Sequence, residues 1–209
     1  MINPDGIKNI IFDFGGVLFE IDYTLPVIAF GELGHTDFAL LYAQASQNEI
    51  FDRLETGRIS NEDFLKYLHS FVPNATMLDV CDAWNCILKG LWPAHVDLVK
   101  RLRTQGYSTF LLSNTNAIHV AVFEEMIEES YGLEKFYSAF NQIYYSNKIG
   151  IKKPHPETFL EVCMWNDLQP EQTLFIDDSP QHVHGAQKAG LSGHHLTKSE
   201  HLPELLSKF

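Results

Sequence analysis

At 209 residues, 45% hydrophobic and 12% aromatic, the chain has the size and apolar content of one globular core plus a modest insertion, with no low-complexity tract to keep it disordered. Fifteen Lys and Arg against 27 Asp and Glu give a net charge of −12, which repels a nucleic-acid backbone, and only Lys100-Arg101 and Lys152-Lys153 are adjacent basic pairs. No stretch approaches the ~20 apolar residues of a membrane span, Met1 to Gly6 lacks a secretory pattern, and three cysteines (Cys81, Cys86, Cys163) make no disulfide framework.

The first apolar run, Ile7 to Phe12, predicts a buried strand. From about Phe19 to Trp92 only helical signals follow. Ser60-Asn61-Glu62-Asp63 ahead of Phe64, Leu65 and Leu68 reads as an N-cap with an acidic N3 residue. Met77, Leu78, Val80, Trp84, Ile87, Leu88 and Leu91 recur at helical spacing. Val96, Leu98, Val99 and Leu102 mark a helix closed by Gly106. Further strands are predicted at Thr109 to Leu112, Gln142 to Tyr145 and Thr173 to Ile176, with a weaker one near Gly193 to Thr197. Helices are expected at Phe159 to Cys163, after Pro156, and at Val183 to Ala189, ended by Gly190. Strand-helix alternation predicts an α/β fold, a Rossmann-like doubly wound parallel sheet. Its core is expected at 1–18 and 93–209, with an inserted all-helical cap at 19–92.

Open parallel sheets bind ligands beyond the carboxyl ends of their strands. The first strand ends in Asp13-Phe14-Gly15-Gly16-Val17-Leu18, and a carboxylate after a buried run is costly unless it meets a polar site or a cation. The next strand ends in Ser113-Asn114-Thr115-Asn116, a source of hydroxyls and amides. Lys152-Lys153-Pro154 precedes a helix. Asp177-Asp178-Ser179 follows the fourth strand, where a hard divalent cation would relieve the repulsion of the two carboxylates. His182-x-His184 and His194-His195 lack a matching carboxylate or cysteine spacing and read as incidental. Cys81 and Cys86, five apart, fall on different helix faces.

Asp13 with Gly16-Val17-Leu18, Ser113-Asn114-Thr115, Lys153-Pro154 and Asp177-Asp178-Ser179 resemble, in order, the four motifs of the haloacid dehalogenase superfamily. Glu55-Thr56-Gly57-Arg58-Ile59-Ser60-Asn61-Glu62-Asp63-Phe64 is similar to a turn and helix in its helical-cap members. Within the superfamily the chain resembles the bacterial α-D-glucose-1-phosphate phosphatase branch, whose first motif also lacks the second Asp. The resemblance implies a Mg²⁺-dependent phosphatase of small phosphorylated metabolites, cytoplasmic, monomeric or weakly dimeric, with no nucleic-acid or membrane partner. Asp13 would attack phosphorus and form an aspartyl-phosphate. Lys153 would neutralise the phosphate and hold Asp13 as its anion. Ser113 and the Asn114 amide would bind phosphate oxygens. Mg²⁺ would take Asp13, the Gly15 carbonyl and Asp178, with Asp177 direct or through water.

Gly15 departs from the pattern, because most of these phosphatases carry a second Asp there as general acid and base. That help is worth typically 10²–10⁴-fold, so its loss slows catalysis without abolishing it. Substrates with better leaving groups, such as anomeric, aryl or acyl phosphates, need it least, and Gly15→Asp is expected to raise turnover most on alkyl phosphates. Glu20 and Asp22, at the expected cap hinge, and His119 and His182, in or near the motif loops, are the candidates to substitute. Two other readings compete. A metal-free 2-haloacid dehalogenase also lacks the second Asp, but Asp177-Asp178 would then be uncompensated and Arg53, Arg58, Arg101 and Arg103 all lie outside the motif loops. A decayed phosphometabolite-binding module has Gly15 alone in its favour.

Overall fold

The structure is a computed structural model that describes residues 2, 4–43, 49–197 and 201–209; Met1 and Asn3 of the opening segment lie outside the described residues. Its centre is β1 (Asn9–Phe12), in which all four side chains are buried. A strand covered on both faces has no polar side, which is why Ile10, Ile11 and Phe12 are apolar; the one polar residue, Asn9, is buried with its Nδ2 donating to Thr173 Oγ1 at 3.3 Å. The chain then forms β2 (Phe19–Ile21) and, among the described residues, five helices: α1 (Thr24–Glu32), α2 (Phe38–Ala43), α3 (Glu49–Glu55), α4 (Asn61–His69) and α5 (Met77–Asn85). It returns through β3 (Leu88–Leu91) to α6 (Pro93–Thr104), β4 (Ser108–Ser113), α7 (Ala117–Ser130) and α8 (Leu133–Tyr137). The remainder is β5 (Gln142–Tyr145), α9 (Ser146–Ile149), α10 (Pro156–Trp165), a 3₁₀ turn, β6 (Thr173–Asp177), α11 (Pro180–Lys188), β7 (Ser192–His195) and α12 (Leu202–Leu205).

Five strands pair in the order β5-β4-β1-β6-β7, all parallel. The order reverses beside β1: β4 and β5 are laid down on one side, β6 and β7 on the other, and a crevice opens where the chain changes direction. Ile10, Phe12, Leu111 and Ile176 pack one face, with Val96, Val99 and Leu102 of α6 and Phe123 and Ile127 of α7. Ile11, Phe110, Leu112 and Phe175 pack the other, with Phe159, Val162 and Cys163 of α10 and Ala186 of α11.

The stretch after β1 differs from the all-helical expectation at both ends. Phe19–Ile21 and Leu88–Leu91 form an antiparallel ribbon, with Phe19 opposite Leu91 and Glu20 opposite Gly90. The helix begun at Met77 stops at Asn85, so Leu88 and Leu91 lie on the ribbon and not on a helix face. The two segments run side by side, and their pairing satisfies backbone groups that neither satisfies alone. Helices α1–α5 share their own apolar cluster, in which Phe30, Phe51, Phe64 and Val80 meet Ile118 of α7. Ser60 caps α4 as its sequence indicates, its Oγ accepting from the Asp63 N–H at 3.1 Å. Among the described residues no helix is long and apolar enough to cross a membrane.

Candidate active site

Three neighbouring strands deliver the polar loops to one place. Phe12 stands level with Leu111 of β4 and Ile176 of β6, so the next residue, Asp13, emerges beside Asp177. The Asp13 N–H extends the ladder to the Ile176 carbonyl at 2.9 Å. Adjacent strands are ~4.8 Å apart, which forces the two carboxylates together. Lys153, carried on the loop between α9 and α10, separates them. Its Nζ donates to Asp13 Oδ1 at 2.6 Å and to Asp177 Oδ2 at 2.7 Å. All three residues are buried, with Lys153 1% exposed and Asp177 not at all.

Burial opposes the Lys153 ammonium, yet the charges of Asp13 and Asp177 outweigh it and hold its pKa above the ordinary lysine value. Burial also works against the Asp177 anion, but Lys153 and the hydrogen bond from His182 prevail and hold it down at about 2. Asp13 goes the other way: burial and the charge of Asp177 push it up to about 7 in spite of Lys153. Burial and Asp177 raise Asp178 as well.

Three carboxylates against one ammonium leave negative charge to be neutralised. Among the described residues, Asp13, Asp177 and Asp178 are the only His, Cys, Asp or Glu group close enough to share a metal ion, each offering an oxygen within 4.8 Å of the others. An all-oxygen, carboxylate-rich set suits a hard divalent cation such as Mg²⁺. The residues therefore fit the ion that the sequence implies.

The surroundings fix this cluster. Asp177 Oδ1 accepts from the Ser179 N–H at 2.7 Å, and His182 Nδ1 lies 3.0 Å from Asp177 Oδ2. Asp178 packs on Gly16, whose φ of +74° and missing Cβ both matter: a Cβ there would collide with the Asp178 carboxylate. Ser113 is buried at the end of β4, its Oγ 3.5 Å from the Asn114 carbonyl. The Asn114 side chain makes a two-bond contact with the Lys153 backbone, donating to its carbonyl at 2.9 Å and accepting its N–H at 3.0 Å. At Gly15 a Cβ would stand 2.8 Å from Ile21 Cδ1, the end of a flexible side chain that would have to shift.

Of the side chains considered as substitutes for a second acid, His119 is engaged elsewhere. It lies between Asn116 Nδ2 at 3.0 Å and the Trp84 carbonyl at 3.2 Å, stacks on Trp84, and is driven down to about 4 by burial. A neutral imidazole so held is a packing element between α5 and α7. Asp22 accepts from the Thr24 N–H at 2.9 Å and its hydroxyl at 2.6 Å, at the start of α1. Glu20 is exposed on the ribbon. His182 sits at the cluster, on Asp177. His195 is bonded to the Asp178 carbonyl at 3.0 Å through Nε2, and neither histidine pair belongs to a metal-ligand group. Residues that no local pattern marks also shape the site: Ile21, Thr158, whose hydroxyl holds the Lys152 carbonyl at 2.8 Å, and Gly185, where a Cβ would collide with the Pro154 carbonyl.

A buried carboxylate at the end of the central strand, a shared lysine and paired aspartates form a carboxylate-centred site on an open parallel α/β sheet. Residues 7–190 match the haloacid dehalogenase-like hydrolases, and the chain belongs to that family. It is 33% identical over 187 residues to a D-ribitol-5-phosphate phosphatase of Bacteroides thetaiotaomicron, covering 88% of this chain and 89% of the relative. It superimposes on a HAD-family enzyme from Bacteroides thetaiotaomicron in its magnesium complex with a TM-score of 0.84 at 29% identity, covering 97% and 99% of the two chains. For that enzyme with magnesium and inorganic phosphate the TM-score is 0.81 at 28% identity, over 95% and 98%. The chain is therefore a hydrolase of the haloacid dehalogenase type.

Proposed function

We propose that this hydrolase is a cytoplasmic, Mg²⁺-dependent phosphatase of small phosphorylated metabolites, sugar or polyol phosphates among them, working through an aspartyl-phosphate on Asp13. The observation that carries the reading is the Lys153 ammonium between Asp13 and Asp177, with Asp178 completing the carboxylate cluster. A phosphoryl group approaching Asp13 brings more negative charge to a site that already has an excess. Lys153 meets part of it, and Asp13, the Gly15 carbonyl, Asp178 and Asp177 would hold the cation that meets the rest. Bound Mg²⁺ would supply charge neutralisation at the phosphoryl oxygens.

Asp13 Oδ1 is occupied by Lys153, which leaves Oδ2 to attack phosphorus in line with the departing oxygen. The P–O bond to the leaving group breaks as the Asp13–P bond forms, and water then cleaves the acyl phosphate to regenerate Asp13 and release inorganic phosphate. Ser113 and the Asn114 backbone amide, at the carboxyl end of β4, would receive phosphate oxygens. The core at 1–18 and 93–209 supplies this chemistry, and the cap at 19–92 would close over the substrate and set its identity.

Similarity to a D-ribitol-5-phosphate phosphatase supports a polyol or sugar phosphate; glucose 1-phosphate rests on the sequence resemblance alone. A metal-free dehalogenase is less well supported, because Arg58 is paired with Asp52 and Arg103 with the Ser138 carbonyl, away from Asp13. The test is phosphate release from D-ribitol 5-phosphate, α-D-glucose 1-phosphate and p-nitrophenyl phosphate, with Mg²⁺ and with chelator. Release that requires Mg²⁺ is expected. Release of halide from a 2-haloacid, with none of phosphate from any ester, would overturn the reading.

A further inference from the structure

Lys153 carries its charge in a buried side chain, and the chain holds the backbone around it at three consecutive residues. The Lys152 carbonyl is held by the Thr158 hydroxyl of α10 at 2.8 Å. The Pro154 carbonyl lies against Gly185 of α11, with no room for a Cβ between them. The Lys153 peptide groups themselves are held by Asn114, whose Nδ2 donates to the carbonyl at 2.9 Å and whose Oδ1 accepts the N–H at 3.0 Å. Thirty-nine residues separate the two in sequence. One oxygen and one hydrogen of the Asn114 amide are thus spent on one residue's main chain, in the way that a strand pairs with its neighbour.

We propose that the Asn114 side chain is a positioning residue for Lys153, setting where the ammonium sits between Asp13 and Asp177, and is not itself a phosphate ligand. The inference rests on the phosphatase reading above. A lysine has four rotatable side-chain bonds and a large rotamer entropy, so its Nζ reaches two carboxylates at 2.6 and 2.7 Å only from a backbone held in place. Misplacement of a reacting group by about 1 Å can cost ~10²-fold in rate. Alanine at 114 removes both bonds and leaves the Lys153 side chain present on a loosened loop. Serine would shorten the reach, and aspartate would keep the acceptor for the Lys153 N–H while turning an oxygen toward the Lys153 carbonyl.

The test is a double-mutant cycle on kcat for p-nitrophenyl phosphate with Mg²⁺, using Asn114→Ala in wild type and in two backgrounds, Lys153→Ala and Lys153→Gln. The glutamine amide still donates to a carboxylate, which supports folding if the alanine variant proves unfolded by circular dichroism. Asn114→Ala is expected to lower kcat roughly 10- to 100-fold beside Lys153 and no more than about 2-fold where Lys153 is already gone, since a residue acting through another has nothing left to position. The same fold-loss in every background would overturn the proposal and assign Asn114 an action of its own on the substrate. Absence of hydrolysis by the wild type is seen before any variant is compared, and contradicts the phosphatase reading itself.

Discussion

Asp178 rests on Gly16 so closely that its carboxylate occupies the place of a Cβ, with its own Cβ 3.1 Å from that position. Gly16→Ala therefore sets two demands at once: an alanine at φ +74° and a displaced Asp178. Left-handed backbone costs a non-glycine residue about 1 kcal/mol or more, which the fold can absorb. The displaced ligand is the larger consequence. Mg²⁺ affinity, measured by titration calorimetry, is expected to fall at least ~10-fold, with the melting temperature of the metal-free protein lowered by only about 2–4 °C per kcal/mol of that backbone strain. Unaltered Mg²⁺ affinity in a folded Gly16→Ala variant would remove Asp178 from the metal site.

The charge balance gives a pH dependence with a definite sign. Asp13 is raised from 3.8 to about 7 by burial and by Asp177, so its contribution to stability is full below the unfolded value and is lost as pH rises through 7. Asp177, at about 2 in spite of its burial, contributes in the opposite sense: its share is present above 3.8 and lost as pH falls toward 2. The metal-free protein is thus expected to lose on the order of 2–4 kcal/mol from the Asp13 contribution between pH 4 and 8. Added Mg²⁺ should restore it at pH 8, and Asp13→Asn should flatten the decline. Thermal melts across that range check this; an equal slope in wild type and Asp13→Asn would contradict it.

Ile21 stands where a side chain at position 15 would go. Its δ-methyl is the sole close obstacle, since the other two Ile21 carbons are at 3.6 and 3.7 Å from a Cβ on Gly15. Gly15→Asp is expected to raise turnover most on alkyl phosphates, and adding Ile21→Val, which deletes that methyl, to enlarge the gain toward the ~10²–10⁴-fold of a general acid. The readout is the dependence of kcat/KM on leaving-group pKa over a series of aryl and alkyl phosphates. Identical slopes in wild type, Gly15→Asp and the double variant would refute the leaving-group argument.

Lys152 faces away from the chemistry and ties the loop to α3. Its Nζ lies 3.0 Å from Asp52 Oδ1 and 2.8 Å from Glu55 Oε2, with its side chain 14% exposed. Lys152→Ala takes the ammonium from between two half-buried carboxylates, of which Asp52 keeps its pairing with Arg58. It is expected to cost about 1–2 kcal/mol of stability and to raise KM several-fold while kcat falls less, because α3 belongs to the helices that would cover the substrate. Unchanged melting temperature and unchanged KM would show that this contact does not hold them.

The strands that carry the site were legible because each is a buried apolar run with polar residues straight after it: Ile10 to Phe12 before Asp13, and Leu174 to Ile176 before Asp177. Parallel strands buried on both faces leave little else for those positions to be. The ribbon was not legible. Phe19–Ile21 has three residues, and Leu88 and Leu91 continue the spacing of Trp84 and Ile87, so their strand pairing is decided by contact across the insertion and not by local preference. The four motif loops could be placed at one sheet edge, but the particular contacts could not. Asn114 meets Lys153, Gly185 meets Pro154 and Ile21 meets Gly15 through tertiary approach alone. A glycine is visible in a sequence, but the neighbour it makes room for, Pro154 at Gly185 or Asp178 at Gly16, is not.

The most direct test of the chemistry is to look for the phosphoryl group on Asp13. Protein mixed with p-nitrophenyl phosphate and Mg²⁺, quenched in acid within milliseconds and digested with pepsin at low pH, is read by mass spectrometry. A peptide carrying Asp13 and heavier by one phosphoryl group, absent from Asp13→Asn and from samples with chelator, is the expected result. Steady Mg²⁺-dependent release of phosphate with no such peptide, or release that survives in Asp13→Asn, would contradict attack by Asp13.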